Sequence, residues 1–107
     1  TLQQVVQWMS SNVAECYGMI GKGRLEEGYD GDIVLVDLNK EQLVEDKNSW
    51  STVGWNPFAG QSLVGWPVLT VVAGVPVFER NDSTGPKGRC IVEPGQAGTP
   101  LVMTPWN

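Results

Sequence analysis

The stretch Lys22–Asp37, KGRLEEGYDGDIVLVD, places the tightest limit on how this chain can fold. Its turn, Glu27-Gly28-Tyr29-Asp30-Gly31-Asp32, is polar and acidic, and its two glycines give backbone freedom that residues with a Cβ reach only at a cost. Next comes an unbroken apolar run, Ile33-Val34-Leu35-Val36, rich in β-branched residues. A half-buried strand alternates apolar and polar residues, so a run without alternation predicts a strand covered on both faces. Ahead of the turn, Gly23–Leu25 reads as a short extended piece. The chain before this stretch reads as helix, and most of the chain after it reads as strand.

On the helical side, Thr1-Leu2-Gln3-Gln4 has the form of a capping box. The apolar residues Leu2, Val5, Val6, Met9, Val13, Cys16, Tyr17 and Ile20 recur at three- and four-residue steps, which predicts an amphipathic helix. Ser10-Ser11-Asn12 reads as a break, Asn12 with Glu15 as a second capping box, and Gly18 as the stop. Periodicity locates the buried face without naming its neighbour. The stripe packs either on the domain's own sheet or on a partner outside this chain.

From Ile33 onwards the expected elements are a strand over Ile33–Leu38, a turn at Asn39-Lys40, and either a polar strand over Glu41–Val44 or a helix over Lys40–Lys47. A polar loop, Asp46–Val53, carries Trp50. The proline of Pro57-Phe58-Ala59-Gly60 pushes Asn56 to an extended conformation. Val68–Val72 and Val75–Glu79 form a hairpin through Ala73-Gly74. Because alanine disfavours positive φ, a type I turn with Gly74 as a left-handed bulge is expected there. Asn81–Lys87 is a loop by composition, and Arg89–Glu93 a candidate strand. Pro94–Pro100 is turn-rich, and Leu101–Met103 is placed at a sheet edge before Pro105-Trp106-Asn107.

Four pieces in register carry a family resemblance. The Lys22–Asp37 stretch resembles the segment of amidohydrolases, dihydroorotase in particular, where the chain leaves the catalytic barrel for a small β-domain. Thr1–Gly18 is similar to that family's last barrel helices. Gly54-Trp55-Asn56-Pro57-Phe58-Ala59-Gly60 resembles its W-[ST]-P-F-x-G loop, and Leu63–Glu79 its closing hairpin. The resemblance covers about Thr1–Glu79 and favours strand over helix after Lys40. Val13 stands where relatives often carry proline, and Gly31 where they repeat Asp-Ala-Asp.

The resemblance implies an α+β, mainly β, chain: N-terminal helices, then a small β-sandwich-like domain, with the catalytic barrel absent. It divides the chain into terminal barrel helices (1–20), a composite β-domain (21–80) and a loop-rich tail with one or two short strands (81–107). It also implies a cytoplasmic parent enzyme that reversibly hydrolyses the cyclic amide of dihydroorotate to N-carbamoyl-aspartate, using zinc. In that family zinc is held by histidines, a carboxylated lysine and an aspartate. This chain of 107 residues contains no histidine. No catalytic, cofactor-binding or metal-binding residue is therefore assigned to it, and no cofactor is expected in this chain. The expected partners are an upstream barrel of the same polypeptide, or a second copy through the Leu2–Ile20 helix face. Other readings are a non-catalytic homologue, the related allantoinase or dihydropyrimidinase, and a free-standing β-rich module that binds through its tryptophans.

Composition narrows the alternatives. A formal charge of −5 with seven scattered basic residues argues against a nucleic-acid partner. No apolar run approaches the roughly 20 residues needed to span a bilayer, so no membrane partner is expected. Cys16 and Cys90 lack metal-like spacing and read as two reduced thiols. Glu26, Glu27, Asp30, Asp32 and Asp37 are dense enough to suggest Ca²⁺ but lack EF-hand spacing, and read as a solvated turn. Gly18, Gly21 and Gly23 come after a helix and precede a strand, the reverse of a dinucleotide fingerprint. The five tryptophans, Trp8, Trp50, Trp55, Trp66 and Trp106, are expected in a core or a domain interface. Gln61, Ser62, Ser83 and Thr84 offer polar groups but no histidine base to activate a nucleophile.

Overall fold

The computed structural model describes residues 1–93, 95–98, 101, 103 and 104. Pro94, Thr99, Pro100, Val102 and the terminal Pro105-Trp106-Asn107 lie outside the described residues, so the readings placed on them are untested. One N-terminal helical segment precedes a four-stranded antiparallel sheet, mainly β as expected. The sheet runs in sequence order: β1 (Ile33–Leu43), β2 (Ser62–Val72), β3 (Val75–Glu79) and β4 (Arg89–Cys90).

The helical segment starts as the sequence predicts. The Thr1 hydroxyl accepts from the Gln4 amide at 3.2 Å, and the Gln4 side chain accepts from the Thr1 amine at 2.6 Å. The break expected at Ser10-Ser11-Asn12 is milder than a new capping box. Between α1 (Leu2–Val6) and α2 (Asn12–Cys16), residues Gln7–Ser11 form a π-turn, with the Asn12 N–H donating to the Gln7 carbonyl. The helical path thus continues through the polar residues, with one residue more per turn than an α-helix. Gly18, at φ +60°, ends it in a Schellman motif: its N–H donates to Glu15 and the Met19 N–H to Ala14.

Gly23 is no strand residue. It holds φ +85°, and a Cβ there would lie 2.5 Å from the Ala14 Cβ and 3.2 Å from the Ser10 carbonyl. The linker therefore runs directly against the helix, which buries Ala14. Ser10 Oγ donates to the Gly23 carbonyl at the same place.

In the sheet, strand wins over helix after Lys40, and the turn expected at Asn39-Lys40 is a bulge within β1. Asp37 pairs with Trp66 and Glu41 with Val64, so two extra residues loop out of β1. Asp37 Oδ1 accepts from the Asn39 and Lys40 amides at 2.9 and 3.1 Å, which accounts for their unpaired donors. A second register shift, between Leu35 and Val36, falls opposite Pro67, where a central strand cannot use the proline nitrogen as a donor. β2 begins at Ser62, six residues earlier than the hairpin reading placed it.

The hairpin turn departs from expectation. Val72 pairs with Val75, so the loop has two residues, and both Ala73 (φ 49°) and Gly74 (φ 80°) are left-handed. The twist of a two-residue hairpin requires this primed geometry, and two donors are satisfied in return. The Ala73 N–H donates to Asp32 Oδ1 at 2.8 Å and the Gly74 N–H to the Gly31 carbonyl at 3.0 Å. Met103 closes no sheet edge: it bridges Met19 at the helix end, and the Thr104 N–H donates to the Gly18 carbonyl at 2.8 Å.

Among the described residues, the buried apolar side chains are Ala14 and Val44 alone. Val34, Leu35 and Val36 are exposed, so within this chain the strand expected to be covered on both faces is covered on neither.

Candidate functional site

Two places gather polar side chains. The first is the junction where the linker, β1 and the hairpin turn meet. Lys22 Nζ lies 2.8 Å from Asp30 Oδ2 and 2.5 Å from Asp32 Oδ2. The Asp30 N–H closes the loop by donating to the Gly21 carbonyl at 2.8 Å. Asp32 thus uses one oxygen for Lys22 and the other for the Ala73 amide. The hydrogen bond from Lys22 and then that from Ala73 hold its carboxyl below the usual carboxylate range. Asp30 and then Asp32 hold the Lys22 ammonium above its usual value. Beside this junction lies an open cavity of about 330 Å³, bordered by Glu15, Met19, Arg24, Tyr29 and Thr104.

The acidic group read from the sequence is split by the fold. Asp30 and Asp32 serve Lys22 and the hairpin, Asp37 serves the bulge, and Glu26 and Glu27 sit exposed in the turn. Among the described residues no three of His, Cys, Asp or Glu converge as metal ligands do. Cys16 and Cys90 are exposed and unpaired. With no histidine in the sequence, the residues of this chain do not fit the zinc site that the resemblance implies for the parent.

The second place was missed by sequence reasoning. Arg80, only 9% exposed, is the buried charged residue among those described. Its guanidinium carbon lies 5.0 Å from the centre of the Trp66 ring and 5.2 Å from that of Phe78. Nη1 donates to the Pro67 carbonyl at 2.9 Å, and burial pushes the guanidinium below its usual pKa. The signal was available: Phe78 and Arg80 share one face at the strand period of two.

The tryptophans form no core. Trp8, Trp50 and Trp55 are exposed, Trp66 is half-buried against Arg80, and Trp106 lies outside the described residues. Trp50 donates from Nε1 to the Lys87 carbonyl at 3.0 Å and meets the Phe78 ring edge-on at 6.5 Å. Ser62 Oγ donates to the exposed Glu41 carboxylate at 2.7 Å across the β1–β2 pair, and Ser83 and Thr84 bond to Asn81 within their own loop. The exposed apolar residues Leu2, Val5, Val6 and Met9 run along the helix, and Val34, Leu35, Val36, Leu38 and Leu43 along β1. No helix among the described residues is long and apolar enough to cross a membrane.

Comparison with known proteins gives a consistent picture. The model of the amidohydrolase family matches residues 1–77. A dihydroorotase of Listeria welshimeri is 40% identical over 83 residues, which is 78% of this chain and 19% of that protein. A dihydroorotase of Geobacillus thermodenitrificans is 40% identical over 80 residues, 75% of this chain and 18% of that protein. Among solved structures, an L-hydantoinase (dihydropyrimidinase) from Arthrobacter aurescens superposes with a TM-score of 0.81 at 32% identity. The superposition covers 94% of this chain and 21% of the hydantoinase. The chain therefore spans about a fifth of the length of the relatives it matches.

Proposed function

The chain belongs to the amidohydrolase family, and from that premise we propose that it is the C-terminal, non-catalytic portion of a dihydroorotase-like enzyme. In this reading residues 1–20 are the last helices of a catalytic barrel, 21–80 its composite β-domain and 81–107 a tail. The upstream barrel of the same polypeptide is the partner, and a second copy across the Leu2–Ile20 face is an additional one. The parent is cytoplasmic and interconverts dihydroorotate and N-carbamoyl-aspartate; its zinc and every reacting residue lie upstream of Thr1.

One observation carries the reading. The helix stripe and the apolar run of β1, which a stable domain covers, are exposed along their length in this chain. Exposed apolar surface that extensive marks an interface, and a barrel of the same polypeptide supplies one. The role of this portion is then mechanical: it clamps the barrel through these faces, and the Lys22–Asp32–Ala73 junction fixes the angle between helix and sheet.

The test is the mass and activity of the native polypeptide that bears this segment. A species several times heavier than 11.7 kDa, whose dihydroorotate hydrolysis falls when residues 1–107 are deleted, is the expected result. A native species of 11.7 kDa overturns the proposal.

The superposition on the hydantoinase favours a second reading, in which the parent opens hydantoins or dihydropyrimidines. Comparing turnover of dihydroorotate with that of a hydantoin by the same native enzyme separates the two.

A further inference from the structure

Arg80 presents an unbalanced charge. Removing a cation from water costs heavily unless a partner and hydrogen bonds replace the solvent. Among the described residues no carboxylate pairs with Arg80, and its Nε is buried with no acceptor. Its chain neighbour Glu79 and the cavity-lining Glu45 are engaged elsewhere. Glu79 binds Arg89 at 2.7 Å, and Glu45 binds Lys47 at 2.8 Å and Asn48 at 3.1 Å. Trp66 and Phe78 cover the guanidinium, leaving its N–H edge as the place for a ligand.

Arg80 lines a small cavity of about 60 Å³ together with Glu45, Asn48, Ser49, Asn56 and Trp66. Two of these side chains have donors to spare. Asn56 Oδ1 accepts from the Phe58 amide and Ser49 Oγ from the Ser51 amide, while neither the Asn56 NH₂ nor the Ser49 O–H donates to any described residue. A buried cation and two unused neutral donors therefore border one small cavity.

We propose that Arg80, Ser49 and Asn56 form a binding site for one small monovalent anion of the size of chloride or formate. The anion neutralises Arg80 and ties the loop carrying Ser49 and Asn56 to the end of β3. Glu45, held by Lys47, borders the site and disfavours divalent anions.

The test uses the native polypeptide bearing this chain in sodium gluconate, a bulky and weakly coordinating anion, with chloride or formate replacing it at constant ionic strength. The expected results are a saturable rise in unfolding midpoint, half-complete at roughly 0.1 M chloride or roughly millimolar formate, and ³⁵Cl line broadening that formate displaces. Arg80→Gln removes both effects. Ser49→Ala, which spares the guanidinium, weakens half-saturation about three- to tenfold, as loss of one hydrogen bond does. An unchanged midpoint and line width in the unaltered protein overturn the proposal, whatever the fate of the variants. So does broadening that survives Arg80→Gln in a protein with unchanged circular dichroism.

Discussion

Replacing Ala73 with glycine should stabilise this protein, against the usual direction for such a change. Ala73 holds φ 49° in a two-residue hairpin loop between Val72 and Val75. A residue with a Cβ pays roughly 1–2 kcal/mol in the left-handed region, and glycine pays nothing there. Against this gain stands the greater freedom of glycine in the unfolded chain, about 0.4–1 kcal/mol. The bond from the Ala73 N–H to Asp32 is a backbone bond, so the substitution keeps it. The balance is a stabilisation of about 0–1.6 kcal/mol, centred near 0.8, or roughly 3–6 °C in Tm at its centre for a domain of this size. Urea unfolding followed by tryptophan fluorescence measures it, with an unchanged m-value showing that both end states are preserved. The alternative turn, with Ala73 right-handed and Gly74 alone left-handed, predicts the opposite sign, a loss of about 0.5–1 kcal/mol. A lowered urea midpoint for Ala73→Gly refutes the primed turn.

Gly88 holds φ +69°, and a Cβ there would run into the Phe78 ring and approach the Glu79 carbonyl at 2.8 Å. Gly88→Ala should therefore cost about 2 kcal/mol or more, read as a lower urea midpoint with altered Trp50 fluorescence. The junction makes stability pH-dependent at both ends. Asp32 has a folded pKa below its unfolded value, so its contribution is complete above the unfolded pKa and is lost as pH falls through the folded one. Lys22 is shifted upwards, so its contribution is complete below its unfolded pKa of 10.5 and is lost as pH rises through the folded one. Asp32→Asn should flatten the acid limb of an unfolding-midpoint profile, and an acid limb unaltered by that change refutes the assignment. The helix face of the isolated chain should self-associate with rising concentration. Val6→Lys with Met9→Lys should shift light scattering towards monomer; no shift removes that face as the contact.

The elements themselves were legible because local chemistry dictates them. Thr1 and Gln4 form their capping box, Gly18 ends the helix, and the Val75–Glu79 strand pairs as its pattern predicts. Most of the misreadings share a cause, since they depend on residues distant in sequence. Ala73 is held left-handed by donors matched to Asp32 and Gly31, some forty positions away. Gly23 meets Ala14 across the linker, and Met103 meets Met19 across most of the chain. Asn39-Lys40 became a bulge because Asp37 supplies the acceptor for both amides while Glu41 rejoins β2. The anion pocket escaped notice because Ser49, Asn56 and Arg80 belong to three separate segments that only the fold brings together.

The run Ile33-Val34-Leu35-Val36 is the instructive case. Its lack of alternation specifies two covers, and the fold leaves three of the four side chains exposed. A strand edge pattern would have placed a polar residue at every second position had either face evolved against water. Under the proposed function the upstream barrel supplies those covers, which a local reading of four residues does not name. The same holds for the Leu2–Met9 stripe, with apolar residues on a helix whose one buried side chain is Ala14. Two independent elements, one helical and one extended, thus carry an excess of apolar surface, and Lys22, between them in the chain, pairs with Asp30 and Asp32 just ahead of β1. Under the proposed function one large neighbour, the upstream barrel, covers the apolar surface of both elements.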